Sequence, residues 1–143
     1  MDKDTTRNLS RILENTSEQK DADGFVQSAQ FQYFYQYFNS FMADSSKSVT
    51  DVIRSSGISR NYVYNIINGD KKHPGRDKVL ALCIGAGMNY TQTQRALEIS
   101  GLAALYPKDE RDVRIAIAIN QGMENVMEVN DLLYGFGLEL IKI

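Results

Sequence analysis

The chain has no tryptophan, one cysteine, one histidine and two prolines among 143 residues. The single cysteine, Cys83, excludes an internal disulfide, and with His73 alone beside it no Cys/His zinc cluster can form. A reduced, cytoplasmic setting fits. There is no apolar run of about eighteen residues, so no segment reads as a membrane span. The opening stretch, MDKDTTRNLSR, lacks the apolar core of a signal peptide. Strand-like alternation is also missing, which favours an all-helical chain. Gly85-Ala86-Gly87 follows a helix and lacks the Lys-Ser/Thr of a phosphate loop. Asp109, Glu110 and Asp112 form an acidic run, but one that suits the positive end of a helix dipole. No catalytic constellation, metal site or cofactor site is read, and an enzyme is not expected.

Hydrophobic residues make up 43% of the chain, ample for a core. Net charge is −2, but it is unevenly spread. Residues 45–80 carry seven Lys/Arg against three Asp/Glu, residues 81–143 five against eight, and residues 1–44 four against seven. The positive charge is thus concentrated in one short region, as an electrostatic footprint for a polyanion is.

That region contains the most informative stretch, SVTDVIRSSGISRNYVYNIINGDKK from Ser48 to Lys72. It reads as two short helices and a tight turn. Val49, Val52 and Ile53 give the first helix an apolar side. Ser48 and Asp51 have capping-box spacing. Gly57 breaks the helix, Ile58 plugs the turn, and Ser59 suits the N-cap of the second helix. Val63, Ile66 and Ile67 face inward, and Asn68-Gly69 ends the helix. Packing leaves the outer face unexplained. Arg60, Asn61, Tyr64 and Asn65 lie on it, and Arg and Asn can each take a base edge with two hydrogen bonds. A solvated face of an ordinary helical hairpin is the competing reading.

Gly57-Ile58-Ser59-Arg60, Val63, Ile66-Ile67-Asn68-Gly69 and Pro74 together resemble the Cro/lambda-repressor type of helix-turn-helix, the XRE family of bacterial and phage regulators. The resemblance runs from about Phe31 to Met88. It departs from the usual pattern at Ile53, where a small residue is common, and at Ser56, where Leu is common; the glutamine frequent early in the first helix is also missing. It implies a five-helix lambda-repressor-like domain that binds double-stranded DNA as a homodimer. Arg60, Asn61 and Asn65 match base-reading positions, with Tyr64 at the groove edge. Ser59, Lys71, Lys72 and Arg76 would lie along the phosphates.

Elsewhere, residues 5–15 form an amphipathic helix candidate with Leu9, Ile12 and Leu13 on one side, and Thr16-Ser17 is placed to cap a polar helix to about Ser28. In FQYFYQYFNSFM (31–42), Phe31, Phe34, Phe38 and Phe41 recur on one helical face, read as core. From Lys78 an internal repeat begins. Leu80–Ile84 matches Ile115–Ile119, and Gly87-Met88 matches Gly122-Met123. Asn89 and Gln92 match Asn125 and Glu128, both pairs with N-cap signatures. Leu97, Gly101 and Leu102 match Leu133, Gly137 and Leu138. The units, 77–102 and 110–138, are joined by Tyr106-Pro107, and the proline suits the first turn of the next helix. The apolar run Val113–Ile119 reads as buried on two sides, in the core or at a dimer interface. The Leu105-Tyr106-Pro107 and Arg111-Asp112 junction resembles a Firmicutes subgroup of the same family.

The expected organisation is therefore a helical or mobile extension (1–30), a helix-turn-helix domain (31–104) and an additional C-terminal helical hairpin (105–143) packed on it. The expected function is a sequence-specific DNA-binding regulator. The alternative is an adaptor or kinase substrate of the same shape, meeting a protein partner through its N-terminal or C-terminal helices.

Overall fold

The computed structural model describes residues 31–143; the expectations for residues 1–30 lie outside that range. Among the described residues there are seven α-helices and no strand: α1 (Phe34–Ala43), α2 (Val49–Ser56), α3 (Arg60–Ile67), α4 (Arg76–Ala86), α5 (Tyr90–Ile99), α6 (Glu110–Asn120) and α7 (Val126–Gly135). None is long and apolar enough to cross a membrane.

The helix starts follow their caps. Ser48 Oγ accepts from Asp51 N at 3.1 Å while Asp51 Oδ2 accepts from Ser48 N at 2.9 Å, closing the box that starts α2. Gly57 ends α2 in the left-handed conformation, φ 74°. Ser59 Oγ accepts from Tyr62 N to start α3. The aromatic segment begins its helix at Phe34, three residues later than the Phe spacing suggests. Gln36 Oε1 accepts from both Gln32 N and Tyr33 N, which fixes the start there. Phe34 and Phe38 are fully buried and stack at 5.6 Å. Phe31 lies before the helix, edge-on to Tyr37 at 5.5 Å.

The core is centred on α4, buried without interruption from Val79 to Ala86. A helix apolar all round needs neighbours all round. α2 crosses it most closely, where a Cβ on Gly85 would come within 2.9 Å of Ser56 N. That approach leaves little room for a side chain larger than serine at position 56. Ser56 is fully buried, and its Oγ accepts from Ile58 N at 3.2 Å, so the hydroxyl is satisfied inside the turn.

The repeat extends further than the apolar pattern indicates. Counted at the same offset of thirty-five, Arg76-Asp77 matches Arg111-Asp112, and the two pairs cross over. Arg76 Nη1 and Nη2 donate to the two oxygens of Asp112 at 3.1 and 2.9 Å. Arg111 Nη2 donates to both oxygens of Asp77 at 3.2 Å. Each arginine also ties down the tail of its own unit: Arg76 donates to the carbonyls of Ala103 and Ala104, Arg111 to those of Glu139 and Leu140. Each aspartate accepts a backbone N–H from the tail of the other's arginine, Asp112 from Tyr106 and Asp77 from Lys142. Gln94 brackets Leu105 with two hydrogen bonds, and Asn130 brackets Ile141 in the same way. A contacting B′ while B contacts A′ is the signature of an isologous, two-fold interface. Here it lies within one chain, between the α4–α5 and α6–α7 hairpins.

Asp112 lies in the first turn of α6, as its place in the acidic run predicts, and its carboxylate also turns inward to pair with Arg76, 6% exposed, while Asp109 caps the helix. Two expectations in this half are corrected. Pro107 lies in the turn before α6, which starts at Glu110, so it is not a first-turn proline. Asn125 accepts from Met127 N, but Glu128 is exposed and closes no box, unlike the Asn89–Gln92 pair. The second hairpin is held to the first helices by Lys47, whose Nζ donates to Gly85 O at 3.1 Å and pairs with Glu124 at 2.9 Å.

Candidate nucleic-acid interface

α3 is held by its inner residues. Val63 and Ile66 are fully buried, and Asn39 Nδ2 donates to Ile67 O, satisfying one of the carbonyls left open at the helix end. What remains outside is the predicted face. Arg60, Asn61 and Tyr64 are exposed and Asn65 is half-buried beside them. Residues 60 and 64, and 61 and 65, are one turn apart, so the four side chains share one side of the helix. Exposed Ser59 stands at the N-terminal end of this face.

The loop after α3 supplies the flank. Lys71 N donates to Asn65 O, and exposed Lys71 and Lys72 continue from the end of the recognition face. Two tyrosines from the start of α1 brace that loop. Tyr33 and Tyr35 stack at 6.0 Å. Lys72 Nζ lies 5.5 Å from the Tyr33 ring centroid, and His73 meets the same ring edge-on at 5.7 Å. Gly69 sits over Tyr35, where a Cβ would meet the ring at 3.1 Å. This bracing was not anticipated. The signal for it was the pair of tyrosines flanking Phe34 with glycine after Asn68, but only folding brings them together.

Arg60, Lys71 and Lys72 make no ion pair with another described residue, so their charge faces solvent. Arg76 does not belong with them. Its guanidinium is consumed by Asp112, Ala103 O and Ala104 O, and the assignment of Arg76 to phosphate is corrected. Tyr62, on the flank of α3, has its hydroxyl pKa raised by burial, and Lys78 Nζ lies 5.4 Å from its ring centroid. The face therefore offers hydrogen-bonding side chains along one helix and exposed cations at its end. Among the described residues, no group of three His, Cys, Asp or Glu is placed to hold a metal ion.

No protein-family model matches the chain, and no curated protein or solved structure matches it.

Proposed function

We propose that the chain is a sequence-specific double-stranded DNA-binding regulator of the lambda-repressor-like, XRE type, with α3 as its recognition helix. The observation that carries the reading is the outer face of α3: Arg60, Asn61 and Tyr64 exposed and aligned with half-buried Asn65, with Lys71 and Lys72 beside it making no ion pair to a described residue. An α-helix fits the major groove, where Arg suits guanine and Asn suits adenine. Arg60, Asn61 and Asn65 read bases and Tyr64 lies at the groove edge. Ser59, Lys71 and Lys72 contact phosphates and set register. A homodimer on paired half-sites follows from the family resemblance.

A second reading is favoured by α7, whose Met127 and Tyr134 are 71% and 78% exposed two turns apart. An apolar stripe of that kind suits a protein partner, and an adaptor would use it without reading DNA. Binding of the full chain to random-sequence duplex across a salt series, followed by selection of bound sequences, separates the two. The regulator reading predicts affinity that falls steeply with salt and an enriched two-fold symmetric motif. No duplex binding at low salt favours the adaptor.

A further inference from the structure

The two-fold relation between the hairpins makes each half a template for the other. A cavity of about 270 Å³ opens beside α6, lined chiefly by Tyr90, Tyr106, Pro107, Ala116, Ile117 and Asn120. Most of its lining is apolar, and Tyr90, Tyr106 and Ile117 are exposed at its rim. By the repeat offsets, Asn120 corresponds to Gly85 and Pro107 to Ile143. Those two counterparts face α2: Gly85 lies against Ser56, and the Ile143 side chain reaches Gly57. The groove that α2 fills on the first hairpin is therefore left open by the described residues on the second.

We propose that this open groove is a docking site for a segment of the same chain, Asn8–Leu13, held as α2 is held. The sequence of α2 presents Val49, Val52 and Ile53 after the cap Ser48. The N-terminal stretch repeats that spacing with Leu9, Ile12 and Leu13 after Asn8, itself a cap-type residue. Asn120 replaces the glycine that lets α2 approach closely, so a helix here sits further out. Leu9 and Ile12, each one carbon larger than the valine it replaces, fill that added distance. The chain also enters the described structure at the right place. Phe31 packs on Tyr37, and the Tyr37 hydroxyl donates to Gln92 O, two residues from Tyr90 on the rim. The 18 residues from Leu13 to Phe31 can span at most about 60 Å, so reach is not limiting. The inference does not rest on DNA binding.

The test uses the full chain with a nitroxide on Ser10→Cys. Cys83 is fully buried, so the label goes to the new thiol. The methyl signals of Val113, Ala116 and Ile117 are expected to broaden, and Ile12→Asp in the labelled chain is expected to restore them. A mixture of labelled chains with isotope-enriched unlabelled chains is expected to show no broadening. Unbroadened methyls in the labelled chain, or broadening that survives Ile12→Asp, would overturn the proposal. Broadening in the mixture would overturn it too, by showing that a second copy fills the groove.

Discussion

The α4–α5 and α6–α7 hairpins are built from the same turns and the same crossed Arg–Asp contacts, yet they are buried to different depths. α4 is buried from Val79 to Ala86, while α6 leaves Ile117 44% exposed. The crossed pairs differ as well. Arg76 meets Asp112 with two nitrogens on two oxygens, and the Asp112 side chain is only 7% exposed. Arg111 reaches Asp77 with one nitrogen, at side-chain exposures of 18% and 25%. A repeat thus specifies caps and polar partners, while burial is decided by what lies outside it: α2 covers one unit and no described helix covers the other in the same place.

The largest effect expected from breaking that comparison is at the deeper pair. Arg76→Ala leaves a buried carboxylate unpaired and should cost about 3–5 kcal/mol in urea unfolding. Arg111→Ala, at the pair whose carboxylate is more exposed, should cost less, about 1–3 kcal/mol. Equal losses would mean that the two pairs are energetically alike despite their geometry. Next is the glycine that admits α2. Gly85→Ala forces Ser56 away and should cost about 1–3 kcal/mol, whereas Asn120→Ala at the matching exposed position should change stability by no more than about 0.5 kcal/mol. The caps come third. Asn89→Ala breaks a closed box and should cost about 1 kcal/mol; Asn125→Ala, with no reciprocal partner, should fall near 0.5 kcal/mol. Thermal melts of the two variants side by side would show the order.

The smallest expected effect is on acid stability. Hydrogen bonds from Ser48 hold the exposed Asp51 carboxyl below its ordinary value of 3.8. A carboxyl with a lowered folded-state pKa stabilises the fold fully above its ordinary value and loses that contribution as pH falls below it. Asp51→Asn should therefore flatten the stability–pH curve below pH 3.8, and an unchanged slope there would show that the box does not couple to protonation.

The turn between α2 and α3 was legible because its determinants are local. Ser48–Asp51, Gly57, Ser59 and Asn68-Gly69 each act within a few residues, and all end or start a helix where expected. Arg76 was not legible as an interior residue, because its partner is thirty-six residues away and a surface loop is the ordinary place for arginine. The signal was present in the matching Arg-Asp dipeptides, but the apolar match drew the repeat's start two residues too late. Phe31 was placed on the helix by spacing alone, whereas the Gln36 side chain decided where the helix begins. The outer face of α3 was legible in part: Arg60, Asn61 and Tyr64 are exposed, whereas Asn65 is half-buried.

The central claim is that this face reads bases while the adjoining loop holds phosphates. It is tested most directly by measuring Arg60→Ala and Lys71→Ala against both a selected duplex and a random one. The account predicts that Arg60→Ala loses about 1–3 kcal/mol on the selected duplex and little on the random one. Lys71→Ala should weaken both alike and reduce the salt slope by about 1. Equal losses on the two duplexes for Arg60→Ala would contradict base reading by α3.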